Sequence, residues 1–308
     1  MRALRYYGKG DIRLEQVEEP QVRSGWGHEF SGIVEEAGDD VSDLNPGQRV
    51  CWGGGLADYI LVPRSAVWKL PDNVSLEFGA LVEPLAVGFH AVSIAPVVHP
   101  IASSTAILVL GGGPIGLSVI QAVLAQASSS SDPPLIIVSE PSRARQAFAL
   151  NFGARHVVDP LKQDLVTEVR NLTGGRGCDI VLDAAGVQTG LDEAMRCLRA
   201  GGTVVDIAVW EKRATLEMNE LTFRERTYIG CATYTNQDFG HVLQAISKGR
   251  INPGAMITRM IDIEDIEDKG FRALIEEKDT QVKIMVDMGR GRRKDSAVVV
   301  PGETAAGA

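Results

Sequence analysis

The sequence predicts an α/β protein, a doubly wound parallel sheet set within a smaller β-rich domain. Three observations carry that reading. Ile107-Leu108-Val109-Leu110 is a short, wholly apolar run, as expected of a strand buried on both faces. Glycines at 111, 113 and 116 then follow with G-x-G-x-x-G spacing and open an apolar, Ala-rich run with helical periodicity over 117–127. From about 86 to 232, strand and helix patterns alternate, whereas residues 1 to about 86 are interrupted by glycine and proline at short intervals.

Element by element, the β-rich part offers short strands at 33–34, 49–51 and 59–62. After the glycine loop and its helix, the polar stretch 128–134 reads as a surface insertion, because its serines and prolines have nothing to bury. A strand at 135–138 comes next, then a helix over 142–152 with Ser142 as N-cap and Gly153 at its end. The alternation continues with a helix at 165–172, a strand at 180–183, a helix at 191–198, and strands at 203–209 and 228–231. A helix over 238–248 leads out to a further strand at 282–286. The segment 289–308 carries Arg290, Arg292, Arg293 and Lys294 ahead of small and polar residues, and reads as a disordered tail. The boundaries drawn from these changes are 1–85, 86–232, 233–288 and 289–308.

The bulk composition narrows the function. Of the 308 residues, 44% are hydrophobic and 23% charged, which is ordinary for a globular protein with a sizeable core. A net charge of −9 argues against nucleic acid or an anionic membrane as the main partner. No apolar run reaches the length of a membrane span, and Met1 to Tyr7 contains no apolar signal core. Cys51, Cys178, Cys197 and Cys231 are scattered, so free thiols and a cytoplasmic setting are expected.

A strand, a glycine-rich turn and a helix start in that order suit a dinucleotide pyrophosphate, since the turn lets backbone approach the phosphates and the helix N-terminus offers free N–H groups. Gly111, Gly113, Pro114, Ile115 and Gly116 are the candidate contacts. Glu140, ending the next strand, has the chemistry to accept both hydroxyls of an adenine ribose and to repel a 2′-phosphate, so NAD is expected over NADP. It lies 29 residues beyond Gly111 instead of about 20, an excess the 128–134 insertion explains. Arg143 and Arg145 lie just downstream and read as a solvated helix face, the alternative being that they weaken this preference, and Arg145 is kept as a cofactor-side candidate. Ala185 and Gly186 end one strand in small residues, which leaves room for a nicotinamide ribose, and Ala208 ends the next with backbone groups for the carboxamide.

Several segments then carry a resemblance. They include Gly27-His28-Glu29-Phe30-Ser31-Gly32, Gly47-Gln48-Arg49-Val50, Gly54-Gly55-Leu56-Ala57-Asp58-Tyr59, Leu81-Val82-Glu83-Pro84-Leu85-Ala86-Val87-Gly88 and the glycine loop itself. Through these, residues 1 to about 288 resemble the zinc-dependent medium-chain alcohol dehydrogenases, nearest the butanediol and sorbitol (polyol) branch. The resemblance implies a Rossmann domain inserted into a GroES-like catalytic domain, a small alcohol or ketone substrate, and a homo-oligomer, dimer or tetramer, built on the sheet edge near 228–231.

It also exposes two gaps. The segment that in this family carries a cysteine ligand is missing, since Val22-Arg23-Ser24-Gly25-Trp26 runs straight into Gly27-His28-Glu29. The four-cysteine lobe is missing too, because Val50-Cys51-Trp52 leads directly to Gly53, so no structural zinc is expected and Cys51 reads as a small, partly buried residue. The truncated catalytic part keeps His28, Glu29 and Glu83, which the resemblance makes candidate ligands of a catalytic Zn²⁺. Neighbours on an extended strand point apart, so His28 and Glu29 share a metal only where the chain bends. Three other readings stay open at this level: a metal-free NAD(P)H reductase, an NAD-binding relic without turnover, and a chain whose clean joints are those of skipped exons.

Overall fold

The computed structural model describes residues 2–8, 11–16, 28–52, 55–129, 131–289 and 297–300. The chain divides into two compact units, one of residues 1–83, 246–249 and 253–308, the other of 84–245 and 250–252.

The first unit opens with an antiparallel pair, β1 (Arg2–Gly8) and β2 (Asp11–Gln16). β3 (Phe30–Ala37), β4 (Arg49–Trp52), β5 (Tyr59–Leu61) and β6 (Trp68–Lys69) follow, then the short helix α1 (Leu76–Ala80), capped by the Ser75 hydroxyl on the Phe78 N–H. β3 alternates buried and less buried residues at its start, the period-two pattern of a half-covered sheet. Phe30, Val34, Leu44, Val50, Val62 and Val67 form its core. Helix α2 (Val82–Ile94) leads into the second unit.

That unit contains β7 (Ala106–Leu110), α3 (Pro114–Ala125), β8 (Leu135–Ser139), α4 (Arg143–Asn151), β9 (His156–Val158) and α5 (Leu165–Leu172). It continues with β10 (Cys178–Asp183), α6 (Gln188–Cys197), β11 (Leu198–Asp206), α7 (Met218–Thr222), β12 (Thr227–Gly230) and α8 (Asn236–Ser247). The six strands pair in parallel in the order β12-β11-β10-β7-β8-β9. Chain order reverses between β7 and β10, where open α/β sheets bind ligands. Leu108, Leu110, Ile137, Val181 and Val204 pack with Leu165, Val169, Leu191 and Met195 on one face. Their neighbours Ile107, Val109, Ile136, Val138 and Val205 are equally buried, so both faces are covered.

The chain then returns to the first unit with the parallel pair β13 (Ile257–Asp262) and β14 (Lys283–Asp287), the short helix α9 (Ala273–Glu276) between them, and β15 (Ala297–Val300).

Three expectations are corrected here. Within the expected tail, Ala297–Val300 forms a strand in the middle of the five-stranded sheet β5-β15-β3-β4-β6, parallel to both neighbours. Val298-Val299-Val300 is a β-branched run, which suits a pleated surface and overrides the polar composition around it. The boundary at 232 falls too early, because α8 buries Phe239, Val242 and Leu243 and lies in the second unit as far as Ala245. Ser142 occupies the N-cap of α4 but makes no side-chain cap; its backbone N–H donates to Glu140 Oε1 instead. Residues 290–296 and 301–308 lie outside the described residues, as do the joints at 22–27 and 53–54.

Candidate functional site

In the second unit the glycine loop closes as its spacing predicts. Gly111 has φ +92°, the left-handed region where glycine is favoured, and its N–H donates to the Ser139 carbonyl. Gly113 is the N-cap of α3 and Pro114 stands in its first turn, where a missing N–H costs nothing. A methyl at Gly116 would lie 1.9 Å from the Gly111 carbonyl oxygen, so the loop folds back tightly on the helix start. Gly113, Pro114 and Ile115 remain half-buried, which leaves the helix start reachable.

Glu140 reaches this loop despite the longer spacing. Its Oε2 accepts from the Gly112 N–H at 2.7 Å and its Oε1 from the Ser142 N–H at 2.8 Å. The carboxylate is thus fixed at the end of β8 beside the loop. Arg145 departs from the solvated face expected of it. It is half-buried, and its Nη1 would lie 3.7 Å from a methyl at Gly113, whereas Arg143 is exposed.

The other strand ends close on the same loop. A methyl at Gly111 would meet the Ala184 carbonyl oxygen at 3.4 Å and Ala185 Cβ at 3.5 Å, and one at Gly186 would meet Ala208 Cβ at 2.9 Å. Two aspartates that the sequence reading passed over brace these turns. Asp183 Oδ1 accepts from the Ala185 and Gly186 N–H groups, and Asp206 Oδ1 from that of Ala208. Asp206 Oδ2 also accepts from Trp210 Nε1 at 3.0 Å and the Tyr228 hydroxyl at 2.6 Å. Asp183 is fully buried, its Oδ2 has no partner among the described residues, and burial pushes its carboxyl above the ordinary range. An aspartate ending a strand before Ala-Ala-Gly is the signal that would have revealed the first brace.

In the first unit, His28, Glu29 and Glu83 come together. Each offers one donor atom within 4.8 Å of the others, and His28 Nδ1 lies 3.1 Å from Glu83 Oε1. His28 and Glu29 precede β3 and do not lie within it, so the extended-strand constraint does not act on them. Glu83 is buried, its backbone in the first turn of α2, while the His28 ring is exposed. One imidazole and two carboxylates are donors that a catalytic zinc takes, with a position left open, and their two charges balance a dication, so the residues fit the metal. A residue missed from sequence joins them. Lys283 at the start of β14 places Nζ 2.5 and 2.6 Å from the two Glu29 oxygens, and nothing in its sequence context marks it.

Two other residues whose type suits metal binding or proton handling, His90 and Cys51, have other engagements. His90 Nδ1 lies 2.9 Å from Asp238 Oδ2 and ties α2 to α8. Cys51 is fully buried in β4, and burial raises its thiol to about 12, so it is an inert core residue.

A parallel α/β sheet with a glycine loop at its switch point, accompanied by a histidine–carboxylate donor set, defines a nucleotide-dependent dehydrogenase. Comparison with known proteins agrees. Residues 5–72 match the alcohol dehydrogenase GroES-like domain and 114–248 the zinc-binding dehydrogenase family. The chain is 32% identical to an (R,R)-butanediol dehydrogenase of Bacillus subtilis, covering 93% of this chain and 99% of that protein. It is 36% identical to a probable diacetyl reductase of Saccharomyces cerevisiae, over 90% of this chain and 76% of that one. The crystal structure of 2R,3R-butanediol dehydrogenase from Bacillus subtilis superposes with a TM-score of 0.82 at 29% identity, over 94% and 99% of the two chains. The chain belongs to the zinc-dependent medium-chain alcohol dehydrogenase family, in its polyol dehydrogenase branch, and is an oxidoreductase. The alignment with the Bacillus protein runs over 356 residues, more than the 308 present here, so that relative carries internal segments this chain lacks.

Proposed function

We propose that the protein interconverts a secondary alcohol or vicinal diol of butanediol type with its ketone, using NAD as the hydride carrier. The observation that carries this reading is the Glu140 carboxylate, fixed against Gly112 at the glycine loop. A carboxylate at this strand end has the chemistry to accept the adenine ribose hydroxyls, and its charge opposes a 2′-phosphate, which supports NAD over NADP. The α3 N-terminus offers its free N–H groups to the pyrophosphate, and the small Ala185, Gly186 and Ala208 leave backbone accessible to the nicotinamide end. When bound, NAD exchanges a hydride with the substrate carbon. His28, Glu29 and Glu83 would hold the zinc, which when bound supplies Lewis-acid polarisation of the substrate oxygen. Butanediol and its ketone are taken as the substrate class because the similar enzymes are named for them.

A cytoplasmic setting is supported by the four free thiols, and among the described residues no helix is long and apolar enough to cross a membrane. A dimer or tetramer through β12 is supported by its place at the edge of the six-stranded sheet. Incubating the purified protein with Zn²⁺, NAD and a panel of vicinal diols, and following NADH fluorescence, tests the activity. Diol-dependent NADH formation from NAD exceeding NADPH formation from NADP is expected. NADH binding without turnover across the panel would refute the catalytic reading.

A further inference from the structure

We infer that Lys283 is a resident competitor for the divalent cation and sets how tightly His28, Glu29 and Glu83 hold it. The inference rests on the metal reading above and adds a control element to it. Lys283 Nζ spans both oxygens of Glu29, so the carboxylate that must turn to a metal is already engaged by a cation. The lysine is poorly placed to withdraw. Its backbone is paired in β14 against β13, the Thr258 hydroxyl donates to its carbonyl at 3.2 Å, and its side chain is only 20% exposed. Charge counting points the same way. Neutral His28 with two carboxylates balances a dication, and Lys283 leaves one positive charge in surplus. No thiolate offsets it, because the cysteine-bearing segment is missing from the sequence before Gly27. Partial burial of Lys283 and Glu29 keeps water from screening this competition fully.

The test uses Co²⁺ as the probe, with affinity from competition against a chromophoric chelator and ligation from the visible absorption of the bound ion. Wild type is compared with Lys283→Met, Lys283→Gln and Lys283→Arg, each also in a Glu29→Gln background. Removing the charge should tighten Co²⁺ binding by roughly tenfold or more, the scale of a charge-assisted contact, while Lys283→Arg stays within about threefold of wild type. In the Glu29→Gln background the same change should alter affinity by less than about threefold, because the shared carboxylate is gone. Lys283→Gln keeps a polar group without the charge and guards against a packing defect in the methionine variant. If wild type binds Co²⁺ and neither neutral variant binds it more tightly, Lys283 is only a structural partner of Glu29 and the inference falls while the metal reading stands. If no variant binds Co²⁺, the metal reading itself falls and takes the inference with it.

Discussion

Two glycines of the loop, with a third after α5 as control, separate what the fold requires from what a ligand requires. At Gly116 an alanine methyl would lie 1.9 Å from the Gly111 carbonyl oxygen, far inside the ~3.5 Å of an ordinary contact. Gly111 cannot swing aside, since its N–H is bound to Ser139 and its φ is already +92°. Gly116→Ala should therefore cost at least about 1–3 kcal/mol of stability and disrupt the loop with it. Gly113 is different. Its φ of −78° suits any residue, and the nearest atom to an added methyl is Arg145 Nη1 at 3.7 Å. The protein gives no reason for a glycine there, whereas a pyrophosphate lying on the helix start does. Gly113→Ala is expected to change stability by less than about 1 kcal/mol yet weaken NADH binding tenfold or more, about 1.4 kcal/mol of binding energy. Gly174→Ala is the control. With φ +61° and nothing within 4 Å, it should lose about 1–2 kcal/mol from backbone strain and leave cofactor affinity alone. Thermal unfolding of the cofactor-free proteins and titration of NADH fluorescence read the two quantities separately. Unaltered NADH affinity in Gly113→Ala would refute the placement of the pyrophosphate, and a stability loss matching that of Gly116→Ala would refute the steric argument.

Other changes probe the neighbouring elements. Glu140→Ala removes the carboxylate proposed to accept the ribose hydroxyls and to oppose a 2′-phosphate, so NADH affinity should drop about tenfold while NADPH affinity holds or improves; an unchanged ratio of the two by fluorescence titration would count against Glu140 as the selector. Asp183 has its carboxyl raised by burial above the ordinary 3.8, so its contribution to stability is present at low pH and is lost as pH rises through that raised value. Asp183→Asn should remove this loss and be more stable than wild type at neutral pH by about 1 kcal/mol, with the difference vanishing toward pH 3; a pH-independent difference in urea unfolding would refute it. Arg226 is buried, with its guanidinium on Glu220 and on the Leu198 and Arg199 carbonyls, and desolvation lowers its pKa. Arg226→Met leaves those acceptors without their donor and should cost about 2–4 kcal/mol in denaturant unfolding; a loss under about 0.5 kcal/mol would show that the bonds are replaced by water.

The second unit was legible because its strands are buried on both faces and read as plain apolar runs. The expected helix at 165–172 matches Leu165–Leu172, and the strands at 107–110 and 135–138 fall within Ala106–Leu110 and Leu135–Ser139. α2 escaped notice because Glu83 and Pro84 open it and its residues are mostly buried, which leaves little periodic contrast. The sequence pattern extends the strand before Ala208 to 209, whereas β11 stops at Asp206, where the side chain turns back to hold the following backbone. The glycine loop was visible because its spacing encodes it, and Glu140 because it ends the next apolar strand. Lys283 was not, because its partner lies 254 positions away and only the folded sheet brings the two together.

The strand Ala297–Val300 has a consequence for how the molecule is made. Its first residue pairs with Ile33 on one side and Tyr59 on the other, so the sheet begun early in synthesis gains its middle strand only after the whole second unit has appeared. At roughly 5–20 residues per second, the early strands wait on the order of ten seconds or more. The six-stranded sheet, by contrast, lies within residues 84–245 and meets its partners as they emerge. The cofactor-type sheet is thus built to assemble during translation, while the sheet that flanks the metal-type cluster closes afterwards, with its strand edges exposed to chaperones or to other chains in the interval.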